Sequence, residues 1–232
     1  MALPEVVSRQ EWLAARLRLL EQEKELTRRR DGLNAERRRL PMVKVEKDYV
    51  FDGPGGPISL AELFGDRMQL LIWHIMFGPS WDAACPTCTS FMNELSPAVL
   101  SRLGDCQTAF ALVSRAPLAK IEDYQRSHGW TLPWYSAYGR DFNYDFQVTL
   151  DESVGQLTYN YRPEPDLLNG EQSAEMPGAS CFLRDGGQIF HTYSAYARGL
   201  DHTDLPYALL DLTALGRQEA WEEPKGRAPV LR

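Results

Sequence analysis

Two cysteines bracket a proline and a threonine in the run SWDAACPTCT, residues 80–89. Cys85 and Cys88 at this spacing can form a redox dithiol, half of a metal site, or two inert neighbours. On a helix, positions i and i+3 share a face, and their Cα atoms fall within the separation a disulfide tolerates. Pro86 follows Cys85 directly, and proline is favoured in the first turn of a helix. A thiol at that point faces the unpaired N–H groups of the first turn and the positive end of the helix dipole, which both favour the thiolate. Cys85 is therefore expected to be the attacking sulfur and Cys88 the more buried, resolving one. A structural zinc site gathers four close ligands in paired spacings. Here only Cys106, Cys181 and four scattered histidines remain, so no metal is assigned. Cys106 and Cys181 fall in strand-like apolar runs and read as buried small hydrophobes.

The flanking sequence supplies the elements that would hold such a pair. MQLLIWHIMF, residues 68–77, is apolar on both faces, as a central strand covered by helices must be. A helix is expected from Cys85 to about Leu103, closed by Gly104. QTAFALVS reads as a second buried strand, APLAKIEDYQRSHG as a helix and WTLPWYSA as a third strand-like run. This alternation predicts a mostly parallel sheet with right-handed crossovers. Upstream, MVKVEKDYVF alternates like one half-exposed strand, DGPGGP is a turn and ISLAELFG is a short helical turn ending at Gly65. Downstream, ASCFLRDGGQIFHTYS reads as two strands joined by a tight RDGG turn. DHTDLPYALLDLTALG reads as a closing helix.

Three segments lie outside this alternation. Residues 8–40 read as one long helix, opened by the capping-box pair Ser8 and Glu11 and stopped by Pro41. Trp12, Leu19, Leu26, Leu33 and Leu40 recur at heptad spacing, but the second apolar position of each heptad is lost after Leu20, which argues against a free coiled coil. That stripe must be buried on the chain's own body or on a second copy, and a homodimer through the helix is the favoured arrangement. Residues from about 139 to 176 show no clear period and read as a loop-rich insertion, and residues 217–232 as a loose tail. The expected organisation is thus a helical extension (1–41), an α/β domain (42–216) and the tail.

Composition narrows the function. With a hydrophobic fraction of 44% the 232-residue chain can build a core, and a formal charge of −7 argues against a nucleic-acid partner. The first residues show no basic start followed by an apolar run, and no uncharged stretch is long enough to span a bilayer. The expected compartment is therefore the reducing cytoplasm, where a close cysteine pair is more often catalytic or metal-binding than structural. No Gly-rich phosphate loop follows a strand, so no organic cofactor is expected.

With these residues placed, the chain resembles the bacterial family catalogued as domain of unknown function 899, a thioredoxin-like group. The resembling stretches include SRQEWLAARLRLLEQEKELTRRRD, FGPSWDAACPTCTSF, VSRAPLAKIEDY, YGRDFNYDF, FHTYSAYARGLD and LLDLTALGRQE. The resemblance implies a thioredoxin-like fold, a central mixed sheet flanked by helices, and a redox cysteine pair. YVFDGPGGPISLAELFG is similar to the entry of peroxiredoxin domains, and CPT echoes their peroxidatic loop. Asp82, however, stands where they carry threonine or serine, and Pro86 follows the first cysteine where thioredoxins place proline before the second. Pro177, in EMPGASCFL, matches the proline that thioredoxin-like proteins set opposite the dithiol.

The reading that results is a thiol–disulfide oxidoreductase whose substrate is a protein disulfide or a small peroxide. A peroxiredoxin-related thiol peroxidase and a non-catalytic thioredoxin-fold binding module, with or without a metal, are the alternatives. Among the remaining polar residues, His74 reads as a hydrogen-bonded core histidine, and Arg115 and Arg198 as surface ion pairs. Trp81, four residues before Cys85, fits a cover for the dithiol and core packing equally well.

Overall fold

The computed structural model describes residues 3–217, 219, 221 and 223, which fall into two compact units. One is Met42–Asp201; the other joins the described residues before Met42 to those from His202 onward. Most of the expected tail lies outside the described residues.

In the smaller unit, α1 (Arg9–Arg37) opens as its sequence predicts. The Ser8 hydroxyl accepts the Glu11 N–H at 3.3 Å, and the Glu11 carboxylate accepts the Ser8 N–H at 2.9 Å. The helix stops three residues short of Leu40. Pro41 disfavours helical geometry in the residue before it, so Arg39 and Leu40 close the end with tight bonds to Glu36 and Arg37. Glu25 pairs with both Arg28 and Arg29, and Glu21 with Lys24, so the arginine-rich half is a solvated ion-pair face.

The larger unit begins with a correction. MVKVEKDYVF is not one strand but two, β1 (Val43–Lys44) and β2 (Val50–Gly53), placed near opposite edges of one sheet. The polar residues between them carry the chain across. A hairpin turn at Gly56 (φ +104°) leads into β3 (Gly56–Ser59), and a second capping box, Ser59 with Glu62, starts α2 (Leu60–Leu63). There follow β4 (Gln69–His74), α3 (Pro86–Glu94), α4 (Pro97–Asp105), β5 (Thr108–Ser114), α5 (Leu118–His128) and β6 (Trp134–Ser136). The single helix expected over 85–103 is therefore broken. Pro97 disfavours helical geometry in Ser96, which lies extended (φ −93°, ψ 159°), and the Ser96 hydroxyl caps α4 instead.

Residues 139–176, the loop-rich insertion, also hold short regular elements of their own. They contain α6 (Phe142–Asp145), β7 (Thr149–Asp151), β8 (Thr158–Tyr159), β9 (Arg162–Pro163) and β10 (Ser173–Glu175). Strands this short cannot display a period. β10 pairs with β7, and the segment's Val148, Leu150, Tyr159 and Leu168 pack with Tyr196 into a core of their own. The hairpin β11 (Gly178–Asp185) and β12 (Gln188–Tyr196) turns at Gly186 and Gly187, both at positive φ as the RDGG signal requires. The expected closing helix is only α7 (Leu205–Leu210), ended where the Thr213 hydroxyl takes the Leu210 carbonyl at 2.8 Å.

The main sheet runs β1-β12-β11-β4-β5-β6-β2-β3. β4, β5 and β6 are parallel, and β11 is antiparallel to both β4 and β12. A parallel βαβ unit with an antiparallel hairpin on the outer side of its first strand is the thioredoxin-like fold. β4 is apolar on both faces because each face has its own core. Leu70 and Ile72 join Phe51, Phe64, Phe142 and Phe182 on one side, while Trp73 joins Cys88, Phe91 and Met92 on the other.

Candidate active site

β4 delivers the chain to the carboxyl end of the sheet, and a loop returns it to α3 with Cys85 as the N-cap. That cap makes no side-chain hydrogen bond to the helix backbone through a hydroxyl or carboxylate, so the first-turn N–H groups are available to sulfur. The N–H groups of Cys88 and Thr87 both reach Cys85, and the Thr87 side chain adds a further bond. The largest influence is the thiol of Cys88, which donates to the Cys85 sulfur. Together they overcome the cost of partial burial and bring the Cys85 thiol down to about 5. Cys88 moves the opposite way: its bond to Cys85 and its burial hold the thiol well above the ordinary range. Cys85 is half-buried and Cys88 is 4% exposed, so the two sulfurs differ in access as well as acidity.

The loop that carries Cys85 is held from several sides. Cys85 N–H donates to the Met76 carbonyl at 2.9 Å, while the Met76 N–H reaches the Cys88 sulfur. Lys120, on α5, donates from one ammonium to the carbonyls of Pro79 and Trp81, each at 2.9 Å. Trp81 and Cys85 are both partly buried and pack against the same core cluster. A Cβ on Gly78 would sit 3.1 Å from the Trp81 indole nitrogen and 3.4 Å from Glu175 Cγ, so a larger residue there would have to displace one of them.

The other polar residues singled out in the sequence lie elsewhere. Arg115 is tied to the insertion. It pairs with Glu175 at 2.9 Å, where the side chains are 14% and 5% exposed, and its guanidinium lies over Tyr144. This is a buried ion pair rather than the expected surface one. Glu175 also accepts from Thr149 at 2.8 Å, and its burial still raises the carboxyl above the ordinary value. Arg198 does pair at the surface, with Asp201.

His74 is fully buried, bonded through Nε2 to Ser180 at 2.9 Å and stacked on Phe142 and Phe146, on the face of the sheet opposite the dithiol. Burial, aided by nearby His191, brings its pKa down to about 3, so it is a neutral core group. His191 bonds to Ser194 at 2.8 Å, and Ser194 to Ser180 at 2.9 Å, so the two rings end one chain of hydroxyls. Cys106 is a correction: it caps α4 and is exposed, because the strand-like run around it begins only at Thr108. Cys181 lies half-buried on β11. Among the described residues, no group of three or more His, Cys, Asp or Glu could hold a metal ion, and no helix is long and apolar enough to cross a membrane.

Lys120, Glu175, Thr149 and Tyr159 carry no signal in the sequence as part of this site. Each acts on the dithiol region from a segment remote in sequence, and no local motif encodes such pairings.

The chain belongs to the bacterial family described as "Bacterial protein of unknown function (DUF899)", whose pattern matches residues 1–228. No curated protein matches it. Among solved structures it is similar to a mutant of peroxiredoxin Q from Xanthomonas campestris, with 16% identity and a TM-score of 0.48 over 70% of this chain and 90% of that one. It is also similar to peroxidoxin BcpB from Mycobacterium tuberculosis, with 12% identity and a TM-score of 0.47 over 71% and 90%. A putative thioredoxin reductase from Burkholderia cenocepacia follows with 14% identity and a TM-score of 0.42 over 68% and 88%. At these values the neighbours say nothing about activity.

Proposed function

We propose that the protein is a cytoplasmic thiol–disulfide oxidoreductase that works through Cys85 and Cys88. The observation that carries this reading is the contrast between the two sulfurs: a half-exposed thiol brought down to about 5 beside a buried thiol held high. At neutral pH the first is a thiolate and the second keeps its proton. The Cys85 thiolate attacks one sulfur of a substrate disulfide, forming a mixed disulfide and expelling the other sulfur as a thiolate. Cys88 then attacks Cys85, its proton goes to the departing thiolate, and the substrate leaves with two electrons gained. An external dithiol restores the pair by the reverse exchange. No group beyond these sulfurs is required.

The test is trapping. Cys88→Ser should accumulate a mixed disulfide at Cys85 when treated with a small disulfide, detectable by mass, while Cys85→Ser should not react. Equal reaction at both sulfurs, or at neither, would refute the assignment.

A further inference from the structure

The segment between β6 and β11 does more than fill space, because it uses the backbone that borders the dithiol. β11 starts beside the end of β4, with Gly178 opposite His74 and Ala179 opposite Trp73, so residues 173–178 flank the loop that carries Cys85. An extended peptide that presents a cystine to such a site docks by adding a strand to free N–H and C=O groups.

Here two of those groups, the Met176 N–H and the Pro177 carbonyl, are taken. Ser173, Ala174 and Glu175 pair with Asp151, Leu150 and Thr149. The Met176 N–H donates to the Val148 carbonyl at 2.8 Å, Pro177 has no N–H, and its carbonyl accepts the Tyr159 hydroxyl at 2.8 Å. Gly178 is bonded on both sides, by β4 and β12. The packing is tight as well, since a Cβ on Gly178 would lie 2.8 Å from a Val148 methyl carbon. Tyr159 is 4% exposed, is within electrostatic reach of Cys88, and accepts the Ala197 N–H at 2.9 Å, so its hydroxyl is fixed rather than free to swing aside.

In the loop that carries Cys85, four carbonyls are in use as well. Lys120 takes the carbonyls of Pro79 and Trp81, Trp81 N–H takes that of Gly78, and Cys85 N–H takes that of Met76. Glu175, held by Arg115 and Thr149, lies against Gly78 in that loop.

We infer that the insertion fills the strand-docking position, so that the substrate is a low-molecular-mass oxidant with a weak S–S or O–O bond and not an extended protein disulfide. This rests on the dithiol reading proposed above. With a small disulfide the exchange runs as already written. With a hydroperoxide, the Cys85 thiolate attacks the terminal oxygen, the O–O bond breaks, and the alkoxide leaves as an alcohol after taking a proton from water. Cys88 then displaces hydroxide from the sulfenic sulfur, giving the disulfide and water. A small thiol, present in excess, returns the two electrons in either case.

The experiment compares oxidants on the intact, pre-reduced protein. Second-order rates of Cys85–Cys88 oxidation are measured by quenched alkylation and mass for hydroxyethyl disulfide, for hydrogen peroxide and for a linear peptide dimer joined by one cystine. The rates of the same three with free dithiothreitol correct for intrinsic reactivity. After correction the peptide should be slower than the faster small oxidant by about a hundredfold, near tenfold for each of the two backbone hydrogen bonds that the occupied groups deny it. Whichever of the disulfide and the peroxide is faster identifies the small substrate. A corrected peptide rate equal to or above both small oxidants would overturn the inference and leave the dithiol reading intact. Failure of all three to oxidise the pair would overturn the dithiol reading itself.

Discussion

The thiol of Cys88 donates a hydrogen bond to the sulfur of Cys85 across the first turn of α3, and this contact moves the two groups in opposite directions. It stabilises the Cys85 thiolate and makes the Cys88 proton harder to remove. Removing the donor should therefore act on the partner. Cys88→Ala is expected to move the midpoint of Cys85 alkylation up from about 5 toward the unperturbed thiol value of about 8.5. Iodoacetamide rates against pH would show it. An unmoved midpoint would mean that the helix N–H groups alone set the acidity.

The same shifts bear on the stability of the reduced protein. Cys85 has a folded pKa below its unfolded one, so its contribution is fully present above the unfolded value and is lost as pH falls through about 5. Cys88 has a folded pKa above its unfolded one, so its contribution is present below the unfolded value and is lost as pH rises beyond it. The reduced wild type should thus gain stability over Cys85→Ser between pH 5 and the ordinary thiol range. Urea unfolding of both proteins across that window is the measurement, and a pH-independent difference would contradict the shift.

Lys120 holds the dithiol loop through two carbonyls. Charged hydrogen bonds of this type are each worth more than neutral ones, so Lys120→Met should cost about 2 kcal/mol in unfolding free energy. It should also free the Trp81 segment, raising acrylamide quenching of tryptophan fluorescence. Unchanged stability and unchanged quenching would show that the loop is held by its own turns.

The Arg115–Glu175 pair makes a sharper case, because both partners are buried. Arg115→Met leaves a carboxylate uncompensated and should cost about 3–5 kcal/mol near neutral pH. Burial already raises the Glu175 carboxyl above its ordinary value, and loss of Arg115, which lowers it, raises it further. Stability tied to a raised carboxyl is present below its unfolded pKa and falls as pH rises. The deficit of Arg115→Met relative to wild type should therefore shrink in mildly acidic buffer. Adding Glu175→Gln should recover part of it at neutral pH.

How much of this was legible in the sequence depends on range. Ser8 with Glu11, the RDGG turn and the two-faced apolar run around Ile72 are local signals, and each produced its element. The placing of Cys85 and Cys88 on one helix start was legible for the same reason, since four consecutive residues encode the start and the spacing of the two thiols. Pro97 is equally visible, but the apolar residues on either side of it continue one helical pattern, so that pattern alone hides the break between α3 and α4. The insertion was opaque on physical grounds. Its strands are two or three residues long, and its role rests on Tyr159 bonding Pro177 and on Glu175 bonding Arg115. Each is a contact across many residues that no periodicity announces.

The long helix makes the last prediction. Trp12, Leu19, Leu26 and Leu33 are 46%, 50%, 61% and 55% exposed, and no residue of α1 is buried. A helix gains little stability from its own ion pairs, which contribute only tenths of a kcal/mol each, and most helical stability in proteins comes from packing an apolar face. The heptad row supplies such a face, and a second copy supplies an identical one. A two-fold pair buries this row on both copies against each other, which is the self-complementary arrangement that dimers favour. Light scattering at micromolar concentration should therefore give twice the chain mass. Introducing like charges in the row, with Leu19→Glu and Leu26→Glu together, should return the chain to monomer while Cys85 keeps its low alkylation midpoint. A monomeric mass for the wild-type chain would refute the pairing, and a dimer that survives both glutamates would place the contact elsewhere.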